Sequence, residues 1–449
     1  MAGASGSGCP QEGVPDGSAR PRLRAAVRDS STVATRNHSL GKTLFGIYGP
    51  TLLASIGFGA VIPLVAIQAR DLGASVGLAA FITALRGIAQ VVGDLPAGIL
   101  AELLGERIAI AGACFTDAVT MALIFLTHSL PVLAIAVFLQ GFTASVFNLA
   151  RQTYLTENIP LHWRARAMSS LGGVFRVGWF VGPLISAAVV NRWSMPVAFA
   201  FSGLMSFGAG LVTLFMPNLP GETAHNVQAI RQRRATHHMS TWSVLRKHSH
   251  VLLTMGTGCM ALMLIRSVRQ TIIPLWAEAH GVSPAATSLI YSISMAFDVL
   301  LFFPGGAIMD AFGRWWVTIP AISTMSVCLL LMPLTHSFGT ITLVACILGI
   351  GNGLSSGIVL TLGSDFSPEE GRAAFLAGWR MLSDSGSAMG PLIISGVAAV
   401  AGLATSSLVV GLLGLAGAGW LAKYVPRTGT AALEERARKA SGEGGKAAG

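Results

Sequence analysis

Twelve apolar stretches of about twenty residues or more occupy most of this chain, and they limit its fold more than any other feature. They run over about 44–67, 78–101, 107–127, 130–153, 167–190, 195–216, 250–275, 286–309, 315–335, 339–361, 374–398 and 403–425. A helix needs about 20 mostly apolar residues to cross the hydrocarbon core of a bilayer. Only helices and closed barrels satisfy every backbone polar group there. The pattern predicts an all-α membrane protein with 12 transmembrane helices. Composition agrees, since 11% of residues are charged against roughly 25% in soluble domains. An ordinary soluble enzyme, a disordered chain and a disulfide scaffold are excluded. The five cysteines (Cys9, Cys114, Cys259, Cys328, Cys346) are scattered without a CxxC or Cys/His cluster. They read as small packing residues, with no metal site and no cofactor.

The stretches fall as six, a polar linker and six. This gives a tail over 1–43, a bundle over 44–216, a basic linker over 217–249, a second bundle over 250–425 and a tail over 426–449. The first tail is rich in Gly, Ser, Arg and Pro and lacks the apolar run of a signal peptide. Of 30 lysines and arginines, six lie within spans, two (Arg70 and Arg192) fall on the side opposite the linker, and 22 fall on the linker side. Basic loops mark the cytoplasmic side, so both termini and the linker are expected there. This distribution also explains the net charge of +10 without invoking nucleic acid. The linker histidines His225, His237, His238, His248 and His250 read as a solvated basic loop, because His237 and His238 lack a spaced partner pair for a tetrahedral metal.

One sequence offset relates the two halves. Gly98 maps to Gly306, Gly105 to Gly313, Gly141 to Gly349, Arg164 to Arg372, and Gly182-Pro183 to Gly390-Pro391, each 208 residues on. The spans therefore form two six-helix pseudo-repeats. Parallel repeats about an axis along the membrane normal are a transporter architecture with a site at the midplane.

Four stretches carry a resemblance to a known family. Between the second and third segments stands Gly98-Ile99-Leu100-Ala101-Glu102-Leu103-Leu104-Gly105-Glu106-Arg107. Its second copy is Gly306-Ala307-Ile308-Met309-Asp310-Ala311-Phe312-Gly313-Arg314. The fifth segment holds Gly178-Trp179-Phe180-Val181-Gly182-Pro183-Leu184-Ile185, and Ile62-Pro63-Leu64 precedes Asp71-Leu72-Gly73-Ala74-Ser75. Over about 44–425 the chain resembles the major facilitator superfamily, in its 12-helix drug:proton antiporter branch. The first stretch is similar to that family's G-x-L-x-D-R-x-G-R-R/K loop, with Leu103 and Glu106 at two basic positions. The segment-five stretch is similar to its G-x-x-x-G-P-x-x-G-G motif, ending in Ser186-Ala187. The resemblance implies gating for Gly98, Glu102, Gly105, Arg107, Gly306, Asp310, Gly313 and Arg314. For Gly178, Gly182 and Pro183 it implies a hinge, against a plain packing kink. One departure matters. The family's R-x-x-Q-G-x-G carries an Arg linked to proton coupling, and Val137 stands there, ahead of Gln140-Gly141.

Ionisable residues inside a span are costly and therefore functional candidates. The acids are Asp94, Asp117, Asp298 and Asp384, and the arginines Arg86, Arg151, Arg176, Arg266, Arg269 and Arg380. Asp384 or Asp298 is the expected proton carrier, with Arg176 or Arg380 modulating, because burial opposes the charged carboxylate and a nearby guanidinium favours it. Arg176 and Asp384 are repeat equivalents, and Arg380 and Asp384 can pair at i, i+4. Asp117 is a weaker candidate, Asp94 belongs with the cytoplasmic gate, and Arg151 is expected to snorkel from a helix end. Arg86, Arg266 and Arg269, in the outer parts of their segments, would either attract an anion or form an outer gate. Phe58, Phe175, Trp179, Trp276, Tyr291, Met295, Phe297 and Trp379 are the expected cavity lining.

These readings lead to a secondary active carrier of small molecules, a monomer in the plasma membrane of a bacterium, exporting amphipathic compounds against proton influx. The alternative is an organic-anion or metabolite carrier without proton coupling. No G-x-x-x-x-G-K-S/T, H-E-x-x-H or G-x-S-x-G string is present, which argues against direct use of ATP and against a membrane enzyme. A sensor built on a carrier fold is the remaining class.

Overall fold

The structure is a computed structural model, and it describes residues 46–159, 161–215, 241–368 and 371–425. The tails and most of the linker, including His225, His237 and His238, lie outside the described residues. Helices α1 (Gly46–Val61) and α2 (Leu64–Asp71) meet at a 41° bend beside Pro63. They are followed by α3 (Val76–Leu104), α4 (Glu106–Leu126), α5 (Leu130–Asn158), α6 (Leu161–Arg192) and α7 (Met195–Leu214). After the linker come α8 (Thr241–Lys247), α9 (Ser249–Ala279), α10 (Pro284–Phe312), α11 (Trp315–Leu331), α12 (Phe338–Leu354), α13 (Ile358–Asp365) and α14 (Arg372–Tyr424). Among the described residues 10 helices are long and apolar enough to cross a membrane, or up to 11 if the bent pair α1–α2 is one span.

Each helix follows from its apolar run and the residues that close its ends. Ser75 and Ser283, 208 residues apart, accept the backbone N–H of Leu78 and Ala286 and so satisfy otherwise orphaned donors at the starts of α3 and α10. Ser337 caps α12 in a reciprocal box with Thr340. The tight connections α3–α4 and α10–α11 turn on Gly105 (φ 81°) and Gly313 (φ 100°), a backbone region that a side chain disfavours. The helices depart from the expected segments in two further places. The 339–361 segment splits into α12 and α13, where the Ser355 and Ser356 hydroxyls donate to the Asn352 carbonyl in place of helix continuation. The last two segments form one 53-residue helix broken at Gly402 (φ 83°).

Glycines set the helix spacing, and the 208 offset recurs in three dimensions. A Cβ at Gly141 would strike the Arg86 carbonyl, and one at Gly349 the carbonyl of Ser294, the equivalent of Arg86. Gly182 meets the carbonyl of Ile56, and Gly390 that of the equivalent Leu264. Gly178 and Gly182 thus seat α6 on α1, as Gly386 and Gly390 seat α14 on α9. That geometry serves close helix packing. Gly98 and Gly306 do not share it: a Cβ at Gly98 would touch only the Leu149 side chain at 3.6 Å, and at Gly306 it would meet nothing within 4 Å. Close approach is therefore not their role. Gly182→Ala is expected to destabilise the protein by about 1–3 kcal/mol through overpacking, whereas Gly306→Ala should be neutral or slightly stabilising, as thermal unfolding in detergent would show.

Residues from Gly46 onward form one unit. Helices before the linker meet those after it along two seams, α3 with α14 and α6 with α10, and α2 also touches α9 and α10. On the face away from the linker, Arg70 pairs with Glu278 at 3.3 Å, and these two residues are themselves 208 apart. Thr83 bonds Thr271 (3.1 Å), and the Ser395 hydroxyl donates to the Gly77 carbonyl (2.7 Å).

Candidate functional site

The deepest charged cluster is built on α10. Ser294 and Asp298, one helical turn apart, point the same way, with Tyr291 and Met295 beside them. Asp298 is 2% exposed. Its Oδ1 accepts from Arg176 of α6 at 3.2 Å, and its Oδ2 from Arg269 of α9 at 3.3 Å. The Asn352 amide of α12 also donates to Oδ2. Asn352 in turn accepts the Arg266 Nε–H at 2.7 Å. Arg269 donates to the Ser294 hydroxyl (3.3 Å) and lies over the Tyr291 ring, 5.6 Å from its centroid. The Arg176 guanidinium lies over Phe302 at 4.6 Å. Two guanidinium groups therefore bind one carboxylate directly, and a third reaches it through the Asn352 amide. Arginine stays protonated in proteins, so the cluster carries an excess of positive charge.

A second cluster spans the α3–α14 seam. Arg380 pairs with Asp384 one turn along α14 (3.3 Å) and reaches Asp94 of α3 (3.9 Å). Asp94 accepts the Ser145 hydroxyl of α5 at 2.6 Å, and Arg380 donates to Gln152 of α5 at 3.5 Å. One guanidinium is thus shared by carboxylates from both sides of the linker.

The other expected residues are dispersed. Asp117 is buried between α4 and α7, where the Ser206 hydroxyl donates to it at 2.6 Å, within the first group of helices. Arg86 lies over the Phe58 ring at 5.7 Å. Arg151 does not snorkel. Helix α5 continues to Asn158, so Arg151 sits well inside it, its guanidinium between the rings of Phe147 (5.2 Å) and Phe175 (5.1 Å). Phe175 and Trp179 are themselves neighbours at 5.1 Å. Trp179 packs with Ile62, Tyr291 and Met295 where α1, α6 and α10 meet. Trp379 belongs instead to the core of the second helical group, stacked on Phe375 with its indole N–H donated to the Val359 carbonyl. Trp276 likewise donates to the Thr335 carbonyl from a buried position, and Phe297 faces outward at 36% exposure. Arg266 bonds Asn352 and Arg269 bonds Asp298 at the central cluster, while Arg70 pairs with Glu278.

In the loop motifs, Arg107 donates to the Leu214 carbonyl, and Arg314 pairs with Asp365 at 3.0 Å and with Asp310 at 4.0 Å. Both tie helix ends within their own group. The Glu102 side chain lies outside the described residues. Sequence reasoning missed Asn352, Ser145 and Gln152. A lone amide in the glycine-rich run Gly349-Ile350-Gly351-Asn352-Gly353 is a readable signal that a list of ionisable residues omits.

The described residues form an apolar helical bundle with charged clusters where its helices meet, and ionisable residues so placed mark functional sites in membrane proteins. The family model for the Major Facilitator Superfamily matches residues 49–391 and 258–446, and the chain belongs to that family of transporters, which move small molecules and are not enzymes. It is 24% identical over 366 residues to the quinolone resistance protein NorA of Staphylococcus aureus strain MSSA476, covering 79% of this chain and 89% of NorA. An uncharacterized MFS-type transporter of Methanocaldococcus jannaschii is 25% identical over 175 residues, 39% of this chain and 45% of that one, so the chain spans less than half of that relative. Among solved structures, a D-xylose-proton symporter superposes with a TM-score of 0.65 at 16% identity, covering 86% of this chain and 98% of that one. A POT family transporter bound to 5-aminolevulinic acid gives 0.68 at 12% identity, covering 85% and 96%. These two similarities establish the fold.

Proposed function

We propose that the chain is a proton-coupled secondary transporter that exports small amphipathic compounds across the plasma membrane by alternating access. In this reading α1 and α2 are one span and α14 is two, divided at Gly402, which brings the total to twelve in two related six-helix halves. Both termini and the linker face the cytoplasm, and one chain is the working unit. The observation that carries the proposal is the Asp94–Arg380–Asp384 cluster. A proton on Asp384 weakens its pair with Arg380, and the same guanidinium pairs with Asp94 across the two halves, so proton binding acts on the seam that alternating access must open. Asp384 is the coupling carboxylate and Arg380 its modulator, while Asp298 and Arg176 belong to the centre. The likeness to NorA supports export.

A second reading, a carrier of organic anions or metabolites without proton coupling, draws on Val137. It is apolar and 1% exposed on α5, where the drug:proton antiporter branch has its coupling arginine. Everted membrane vesicles separate the two. With lipophilic cations, neutral drugs and aromatic acids as a panel, the proposal expects accumulation that needs an inward-acid proton gradient and collapses with a protonophore. Movement indifferent to the gradient would replace it with the second reading.

A further inference from the structure

The central cluster has donors and positive charge to spare, and the shortfall is entirely in acceptors. Arg269 is 3% exposed, yet its Nε–H has no partner among the described residues. The same holds for the Tyr291 hydroxyl and the Trp179 indole N–H, which lie together where α1, α6 and α10 meet. The Arg266 Nη1 finds only the Met263 sulfur, at 3.8 Å. Buried donors are ordinarily satisfied, and each exception calls for an explanation. Buried charge likewise requires a counter-charge. Asp298 supplies one negative charge to three arginines.

We propose that Arg176, Arg266, Arg269 and Tyr291 bind the acidic group of a small aromatic organic anion, a carboxylate or sulfonate, and that Asp298 is its intramolecular stand-in. The inference rests on the transporter reading and names its substrate class. When the site is empty, Asp298 occupies the guanidinium groups. An incoming anion takes them over, bringing the acceptors that the unused donors lack. The forked guanidinium matches the geometry of a carboxylate. Ile62, Trp179, Phe180 and Met295 provide an apolar and aromatic wall for the rest of the molecule.

The groups that face Asp298 can be named helix by helix. Helix α6 contributes Arg176, α9 contributes Arg266 and Arg269, α10 contributes Tyr291 and Ser294, and α12 contributes the uncharged Asn352. No second carboxylate touches the three arginines among the described residues.

The test is equilibrium binding to the purified full-length protein in detergent. Four naphthalene probes share a ring and differ in charge: the sulfonate, the carboxylate, the amide and the trimethylammonium. The sulfonate stays ionised at every pH used. Both anions should bind, with the amide and the cation weaker by about tenfold or more, the scale of a charge-assisted hydrogen bond. Asp298→Asn should tighten sulfonate binding about tenfold. Arg269→Gln should weaken binding about tenfold, with Arg269→Lys in between. If Arg269→Gln does not fold, Arg176→Gln tests the same point from the less buried side. Preference for the cation, or an Asp298→Asn protein with unchanged sulfonate affinity, would overturn the inference. The vesicle experiment keeps the two proposals apart. Gradient-driven transport of cations without anion binding rejects this site and keeps the transporter reading, and anion binding without gradient-driven transport does the reverse.

Discussion

Asp298→Ala is expected to be the most damaging single substitution in the second group of helices, costing about 3–5 kcal/mol, the range for removing one partner of a buried ion pair. The argument is one of uncompensated charge. Arg269, 3% exposed, and Arg176, 18% exposed, both donate to this carboxylate, and the Asn352 amide donates to it as well. Alanine removes every one of these acceptors. A guanidinium cannot relieve the problem by losing its proton. The measurement is thermal unfolding in detergent together with the yield of monodisperse protein. Two controls fix the interpretation. Asp310→Ala removes a carboxylate that is 77% exposed and should cost well under about 1 kcal/mol. Asp298→Ala combined with Arg269→Met should be less damaging than Asp298→Ala alone, because the orphaned charge is removed with its partner. A loss below about 1 kcal/mol for Asp298→Ala would place the cluster in contact with water and end the buried-charge account.

The sequence made the helices legible because the bilayer imposes length and apolarity on each span. The stretches at 78–101 and 286–309 correspond to α3 and α10, which extend a few residues further at each end. The 208 offset was legible too, because Gly105 and Gly313 hold the same positive-φ turn and Gly141 and Gly349 the same close crossing. Pairings between helices were not. Arg176 aligns with Asp384 through the repeat, yet α6 packs on α10, and its partner is Asp298. Arg380 and Asp384 were readable together because an i, i+4 spacing on one helix needs no tertiary information. Facing directions were hidden for a related reason. Helices that are apolar all round carry little periodicity to say which side meets a neighbour, so Trp179 and Trp379 looked equivalent although one lies where α6 meets α10 and the other in a core. Arg151 looked terminal only because α5 outlasts its apolar stretch.

Asp384→Asn is expected to abolish gradient-driven accumulation, by about 100-fold, while leaving the protein folded and exchange without a gradient intact; a change of that size lies within the usual range of coupling between two sites. The amide keeps the shape of the carboxyl and an oxygen for Arg380, so packing at the α3–α14 seam survives. What it loses is the ability to alternate between a charged form that holds Arg380 and a neutral form that releases it. Arg380 then keeps Asp94 as its only carboxylate, and the cross-seam pair, 3.9 Å long in this structure, is favoured in every state. The expected signature is binding without coupling: substrate affinity within about threefold of the natural protein, a loss confined to uphill movement, and no response to a protonophore. Asp94→Asn separates the two carboxylates. If Asp384 carries the proton and Asp94 only anchors Arg380 across the seam, Asp94→Asn slows transport but keeps its dependence on the gradient. Full uncoupling by Asp94→Asn with coupling retained in Asp384→Asn would reverse those roles and put the proton on α3.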